Sequence, residues 1–183
     1  MKVTPLGIDG AWLIEASVYP DNRGAFREWF VSDLSDNSDL PKFAVKQGNT
    51  SISAKGVIRG IHYSMAEDGQ SKLVTCTFGS IRDAVVDLRE ESKTFGKSVI
   101  VELDATNGLS VFISSGLGHG FQALEDKVAV TYLLDKKYEP FKERGINPLD
   151  RELAIKWKDM PPVISDKDRN APDLSSIGKF EKE

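Results

Sequence analysis

The chain contains only two histidines, His62 and His119, and each sits among glycines: Arg59-Gly60-Ile61-His62-Tyr63 and Gly116-Leu117-Gly118-His119-Gly120-Phe121. An imidazole titrates near neutral pH, so it can take or give a proton under ordinary conditions. Glycines beside it let a ligand approach the backbone closely. The competing reading is plain: an isolated histidine is usually a satisfied structural residue. Lys72 and Tyr132 raise the same question. By strand alternation Lys72 shares a face with Val74, Cys76 and Phe78, and Tyr132 shares one with Val128, Val130 and Leu134. A lysine ending an apolar face either snorkels outward or enters the mouth of a pocket. A tyrosine there is either core, its hydroxyl bonded to backbone, or a pocket group. On pattern alone packing is the simpler account of both.

Metal binding is thin on residue type, though two His with a borrowed carboxylate leave it open, and the other chemistries fail. A stable transition-metal site takes three or more N, O or S ligands, and Tyr63 and Ser64 follow His62 where further imidazoles would be wanted. There is no glycine-rich phosphate loop before a helix and no G-x-S-x-G elbow. Cys76 falls mid-strand on an apolar face, where a thiol is inert core. A net charge of −4 without a basic stripe or tail argues against nucleic acid. It leaves room for a small anionic ligand held by a few Arg and Lys. No apolar run approaches the roughly 20 residues that span a bilayer, and Met1–Pro5 lacks the apolar stretch of a signal peptide. With one cysteine, no intrachain disulfide can form. A cytoplasmic protein is expected.

The elements that must position these residues read as short strands punctuated by turns. The 183 residues fit one domain, 1–183, with a sizeable core. Strands are expected at Ala11–Tyr19, Phe26–Phe30, Phe43–Ser53, Val57–Tyr63, Lys72–Phe78, Ile81–Leu88, Ser98–Leu103, Ser110–Ile113, Phe121–Leu124 and Val128–Leu134. Pro20-Asp21-Asn22-Arg23-Gly24 reads as a turn, Gly79-Ser80 as a tight hairpin, and Val31–Leu40 as one short helix. Many short strands and no long amphipathic helix predict a sandwich, jelly roll or barrel. After Trp157 the chain turns irregular, with Pro161-Pro162 and Ala171-Pro172; such a tail frays unless something holds it.

Taken in order, these segments resemble the dTDP-4-dehydrorhamnose 3,5-epimerases over roughly Trp12 to Pro172. The resemblance rests on Asp21-Asn22-Arg23-Gly24-Ala25-Phe26 with Glu28, Gln47-Gly48-Asn49-Thr50-Ser51, Gly56–Tyr63 and Lys72-Leu73-Val74. Asp83–Arg89, His119-Gly120-Phe121, Tyr132, Tyr138 and Ser165-Asp166-Lys167-Asp168 complete it. It implies an all-β, cupin-like jelly-roll barrel with a few short helices, working as a homodimer without metal or other cofactor. The implied reaction inverts C3 and C5 of dTDP-4-dehydro-6-deoxy-D-glucose, for dTDP-rhamnose and so for cell-surface polysaccharides such as O-antigen. The C4 ketone acidifies protons on both neighbouring carbons, so a base, an enolate and an acid on the far face suffice.

Carried over by position, His62 is the base, Asp168 its orienting partner, Tyr132 the acid and Lys72 the group that stabilises the enolate oxygen. Lys72 and Tyr132 then make sense as pocket residues. Arg23 and Arg59 resemble the diphosphate-binding residues, where guanidinium forks suit phosphate oxygens. Arg23 would reach the neighbouring subunit's site. Gln47, Gly48, Asn49, His119 and Lys167 resemble further ligand contacts. Glu28, Glu143 and Tyr138 resemble the nucleotide end, with Tyr138 stacking on the base. Solvated surface charge remains the alternative for Glu28, Glu143 and Lys167. Arg59 and His62 have opposite parity on a regular strand, so a bulge, with Gly60 the natural place, is needed for both to face a ligand. The sequence departs from the family pattern at Gly48 and at Leu117-Gly118. Three alternatives stay open: a mono-epimerase acting at C3 or C5 only, a non-catalytic nucleotide-sugar-binding cupin, and a metal-dependent cupin.

Overall fold

The computed structural model describes residues 1–34, 39–65 and 69–177. Among them thirteen strands form: β1 (Lys2–Pro5), β2 (Ala11–Glu15), β3 (Val18–Asp21), β4 (Gly24–Arg27), β5 (Gln47–Ser53), β6 (Ile58–Ser64) and β7 (Lys72–Phe78), then β8 (Ser80–Asp87), β9 (Ser98–Asp104), β10 (Leu109–Ile113), β11 (Leu117–Ala123), β12 (Val128–Leu134) and β13 (Glu143–Gly145). A six-stranded sheet runs β1-β2-β10-β7-β12-β5 and a five-stranded sheet runs β13-β6-β11-β8-β9. One core lies between them. Alternation puts Val74, Cys76, Val111, Val128 and Val130 of the first sheet against Ile81, Val85, Leu103, Leu117 and Phe121 of the second, all buried. This is the cupin-like, nearly all-β architecture expected from the sequence.

Several expected boundaries move, each for a visible reason. Ala11–Tyr19 is two strands, because β3 leaves the sheet after β2 and pairs with β4 as a separate hairpin. The hairpin turn is Asn22-Arg23, between paired Asp21 and Gly24. Phe26–Phe30 is paired only to Arg27. Beyond it Trp29, Phe30 and Phe43 fold over the outer face of the larger sheet and cover Leu73 and Phe112. The expected helix at Val31–Leu40 falls partly outside the described residues; its described ends, 31–34 and 39–40, hold turns and no helix. Phe43–Ser53 is a strand only from Gln47, and the strand expected at Phe121–Leu124 begins at Leu117.

The irregular tail is tied down. Val163 pairs in parallel with Val57, Lys158 N donates to Gln122 Oε1 at 2.7 Å, and Asn147 N donates to the Pro172 carbonyl at 2.9 Å. A four-residue helix, α1 (Asp166–Arg169), follows, capped by Ser165, whose hydroxyl accepts from Asp168 N.

Asp87, at the end of β8, is fully buried. Burial alone would push its carboxyl up. The Arg89 guanidinium at 2.9 and 2.8 Å and the Ser92 and Thr94 hydroxyls, each at 2.6 Å, outweigh that and hold its pKa at about 2. The folded pKa lies below the ordinary 3.8. The stabilisation is therefore complete above about pH 4 and is lost as the pH falls toward 2, on the order of 2 kcal/mol. Asp87→Asn should lower stability at pH 7 and flatten the acid limb between about pH 4 and 2. Urea midpoints across that range check this; a limb as steep as the native protein's would contradict it.

Candidate active site

The first wall of the site comes from β6 and β11. His62 pairs directly with His119, and Arg59 pairs with Phe121, so two residues of β6 stand opposite Gly120 alone. This is a bulge at Gly60-Ile61, where the parity conflict asked for one, and it puts Arg59 and His62 on the same face of β6. Only glycine fits at 60. Its φ is +117°, and a Cβ would lie 2.6 Å from both the Gly120 Cα and the His119 carbonyl oxygen.

Asp168 reaches this wall from the tail. Its Oδ1 lies 2.7 Å from His62 Nε2. With the carboxylate accepting, the ring proton sits on Nε2, and Nδ1 keeps a lone pair free to take a proton. Burial pushes the Asp168 carboxyl up; the His62 hydrogen bond and charge, the Gly60 amide and the Ser165 hydroxyl outweigh it and hold it below the usual carboxylate range. His119 makes a second pair: its Nε2 lies 2.7 Å from Oδ1 of the fully buried Asp83.

The facing wall comes from β5, β7 and β12. Lys72 and Tyr132 lie on the inner faces of their strands, in one row with Val74 and Cys76 and with Val128 and Val130. Lys72 is 7% exposed. Burial lowers its pKa, and the Glu143 carboxylate pulls it back up. Glu143 sits on β13, two positions from the residue paired with His62. Burial raises its carboxyl, while Lys72, His62, Lys167 and Arg144 draw it down. Asn49 stands opposite Tyr132, and the Gln47 amide donates to Asn49 Oδ1 at 3.0 Å.

The fold thus gathers His62, Asp168, Lys72, Tyr132, Gln47, Asn49, His119 and Glu143 around one interior. Lys167 is exposed but adjoins Asp168, and its charge reaches Glu143. The exposed Arg59 lays its Nε on Ser53 Oγ at 3.0 Å. Tyr138 stands half exposed at the rim, its backbone N–H donating to Gln47 Oε1 at 2.9 Å. Other expected residues are placed apart. Gly48 has the opposite parity to Gln47 and Asn49 and faces Leu133. Leu117 is inner core, and Gly118 packs on Ile61 and Leu88. Glu28 is exposed beyond β4, and Arg23 is bound to Asp21 on the hairpin turn with its side chain 84% exposed. Asp83 was missed as a site residue. The available signal was an acid between Ile81 and Val85 on one strand face.

An imidazole held by a carboxylate on one wall, and a phenol with a buried lysine amine on the other, suit proton transfer at two faces of one ligand. The family model for dTDP-4-dehydrorhamnose 3,5-epimerase matches residues 5–176. The chain belongs to this family. It is an isomerase, a dTDP-sugar epimerase by kinship. The dTDP-4-dehydrorhamnose 3,5-epimerase of Mycolicibacterium smegmatis is 41% identical over 176 residues, 96% of this chain and 87% of that one. A 4-keto-6-deoxy sugar epimerase from the novobiocin biosynthetic gene cluster of Streptomyces spheroides superposes with a TM-score of 0.94 at 39% identity, covering 99% of this chain and 91% of that one. A 3'-monoepimerase from Streptomyces bikiniensis, solved in complex with dTDP-quinovose, gives 0.92 at 39% identity, covering 97% and 90%. The epimerase family therefore includes both double and single inverters among proteins similar to this one. No helix among the described residues is long and apolar enough to cross a membrane.

Proposed function

We propose that this epimerase converts dTDP-4-dehydro-6-deoxy-D-glucose to dTDP-4-dehydro-L-rhamnose by inverting C3 and C5, in the cytoplasm, for dTDP-rhamnose synthesis. The observation that carries this reading is the His62–Asp168 pair facing Lys72 and Tyr132 across one interior. His62 Nδ1 takes the proton from a carbon beside the C4 ketone, and the bonding pair moves onto the carbonyl oxygen. The Lys72 ammonium holds that enolate oxygen. The Tyr132 hydroxyl then gives its proton to the opposite face of the same carbon, and solvent resets both groups. The two proton transfers balance with no redox change and no metal, and in this reading His119, Gln47 and Asn49 hold the sugar. Arg59, Glu143, Lys167 and Tyr138 take the diphosphate and nucleotide.

Arg23 lies out on the β3–β4 hairpin, beside the exposed rings of Tyr19 and Phe26. This fits a homodimer in which each hairpin completes the partner's site. A second reading, inversion at C3 alone, is supported by the likeness to the Streptomyces bikiniensis monoepimerase. One experiment separates these. The protein is treated with a chelator, checked by sedimentation for a dimer, and given the 4-keto substrate in deuterated water with NMR of the product. Deuterium and inversion at both C3 and C5 at an undiminished rate is the expected result. Label and inversion at C3 only would establish the second reading, and no turnover after chelation would overturn the metal-free scheme.

A further inference from the structure

We infer that Gln70 is a positioning residue for nucleotide binding: its side-chain amide fixes the 135–138 segment that presents Tyr138. The inference rests on the reading above that Tyr138 lies at the nucleotide end of the site.

Gln70 precedes Lys72 by two residues and is 6% exposed, although its side chain is polar and has no apolar row to join. Its amide nitrogen donates to the Lys137 carbonyl at 2.7 Å and lies 3.4 Å from the Lys136 carbonyl. Its backbone N–H donates to the Ser64 hydroxyl at 2.7 Å, which anchors it to the end of the strand that carries His62. The next residue continues the clamp, as Ser71 N donates to Asp135 Oδ1 at 2.8 Å. From the other side Gln47 Oε1 accepts from Tyr138 N at 2.9 Å. The segment between the end of β12 and Tyr138 is thus held at 135, 136, 137 and 138. Gln70 grips two of its carbonyls with one side chain.

The residue type follows from this geometry. The side chain must span to two successive carbonyls and carry two hydrogens on one nitrogen, which an amide supplies. A carboxylate of the same size would set an oxygen against both carbonyl oxygens. An apolar side chain of the same length would remove the Gln70 amide from both carbonyls. Either change frees the segment while touching neither His62, Lys72 nor Tyr132. Tyr138 is half exposed, so its ring has little packing to hold it without the backbone beneath it.

The test is a double-mutant cycle on the full chain, with dTDP affinity read by calorimetry and kcat and KM by NMR assay. Gln70→Met should weaken dTDP binding about tenfold, as loss of one or two hydrogen bonds implies, and raise KM with kcat nearly unchanged. Tyr138→Ala should weaken it at least as much. Adding Gln70→Met to Tyr138→Ala should then cost little more. Gln70→Glu, equal in size, gives the same comparison if the Met variant does not fold. An equal loss from Gln70→Met with and without the Tyr138 ring would overturn the inference, as would native affinity in both Gln70 variants. If Tyr138→Ala binds dTDP like the native protein, the placement of the nucleotide end fails first, and the role of Gln70 falls with it.

Discussion

His62→Ala is expected to lose deuterium exchange and inversion together, by about 10³–10⁴-fold, because no step can begin without the base. The change removes the group that takes the proton and leaves the buried Asp168 carboxylate without its imidazole partner. Asp168 should then move toward protonation, since the hydrogen bond and charge that oppose its burial are gone. Asp168→Asn should fall between native and His62→Ala, at about 10²-fold. Its side chain keeps the shape but no longer favours the imidazolium, nor fixes the proton on Nε2. Both variants should stay folded, because β6 is held on both sides by β11 and β13. The readout is deuterium at C3 and C5 of recovered substrate and product. Exchange at the native rate in His62→Ala would remove the base from the scheme, and the scheme would not survive it.

How much of this was legible in the sequence depended on the range of the interaction. Strand alternation is local, so the inner rows Val74-Cys76 and Val128-Val130 could be read directly, and Lys72 and Tyr132 could be placed as polar members of those rows, though pattern alone favoured packing for both. The Gly60 bulge was also legible, as the one way to reconcile Arg59 with His62 on a common face. Asp168 was not legible from pattern. It lies 106 residues from His62, on a four-residue helix too short to show a period, and only the family resemblance pointed to it. β1 and β13, at four and three residues, are likewise too short for alternation to register. The strand expected from Phe43 failed for the opposite reason. Phe43 covers Phe112 from outside the sheet instead of pairing within it, and Val45 is exposed. Gly48 shows the limit of reading a motif as a block: in Gln47-Gly48-Asn49 alternate residues face opposite ways, so proximity in sequence does not place all three at one ligand.

Tyr132→Phe separates proton removal from proton delivery. The hydroxyl is the only atom lost, and the ring still packs on the core beside Val74, so stability should fall by no more than about 1 kcal/mol. His62, Asp168 and Lys72 are untouched, so the enolate still forms and is still held. Its return to the original face is open, because His62 exchanges the proton it has taken with deuterated solvent and gives back a deuteron. Delivery from the opposite face lacks its donor. Recovered substrate should therefore gain deuterium without inversion, while inverted product appears about 10²–10⁴-fold more slowly than with the native enzyme. This pattern differs from that of His62→Ala, in which neither label nor product accumulates. It also differs from a folding defect, which would reduce both in equal proportion. Inverted product at a near-native rate would make Tyr132 a packing residue, and the proton would then have to come from another group or from water on the Lys72 side of the site.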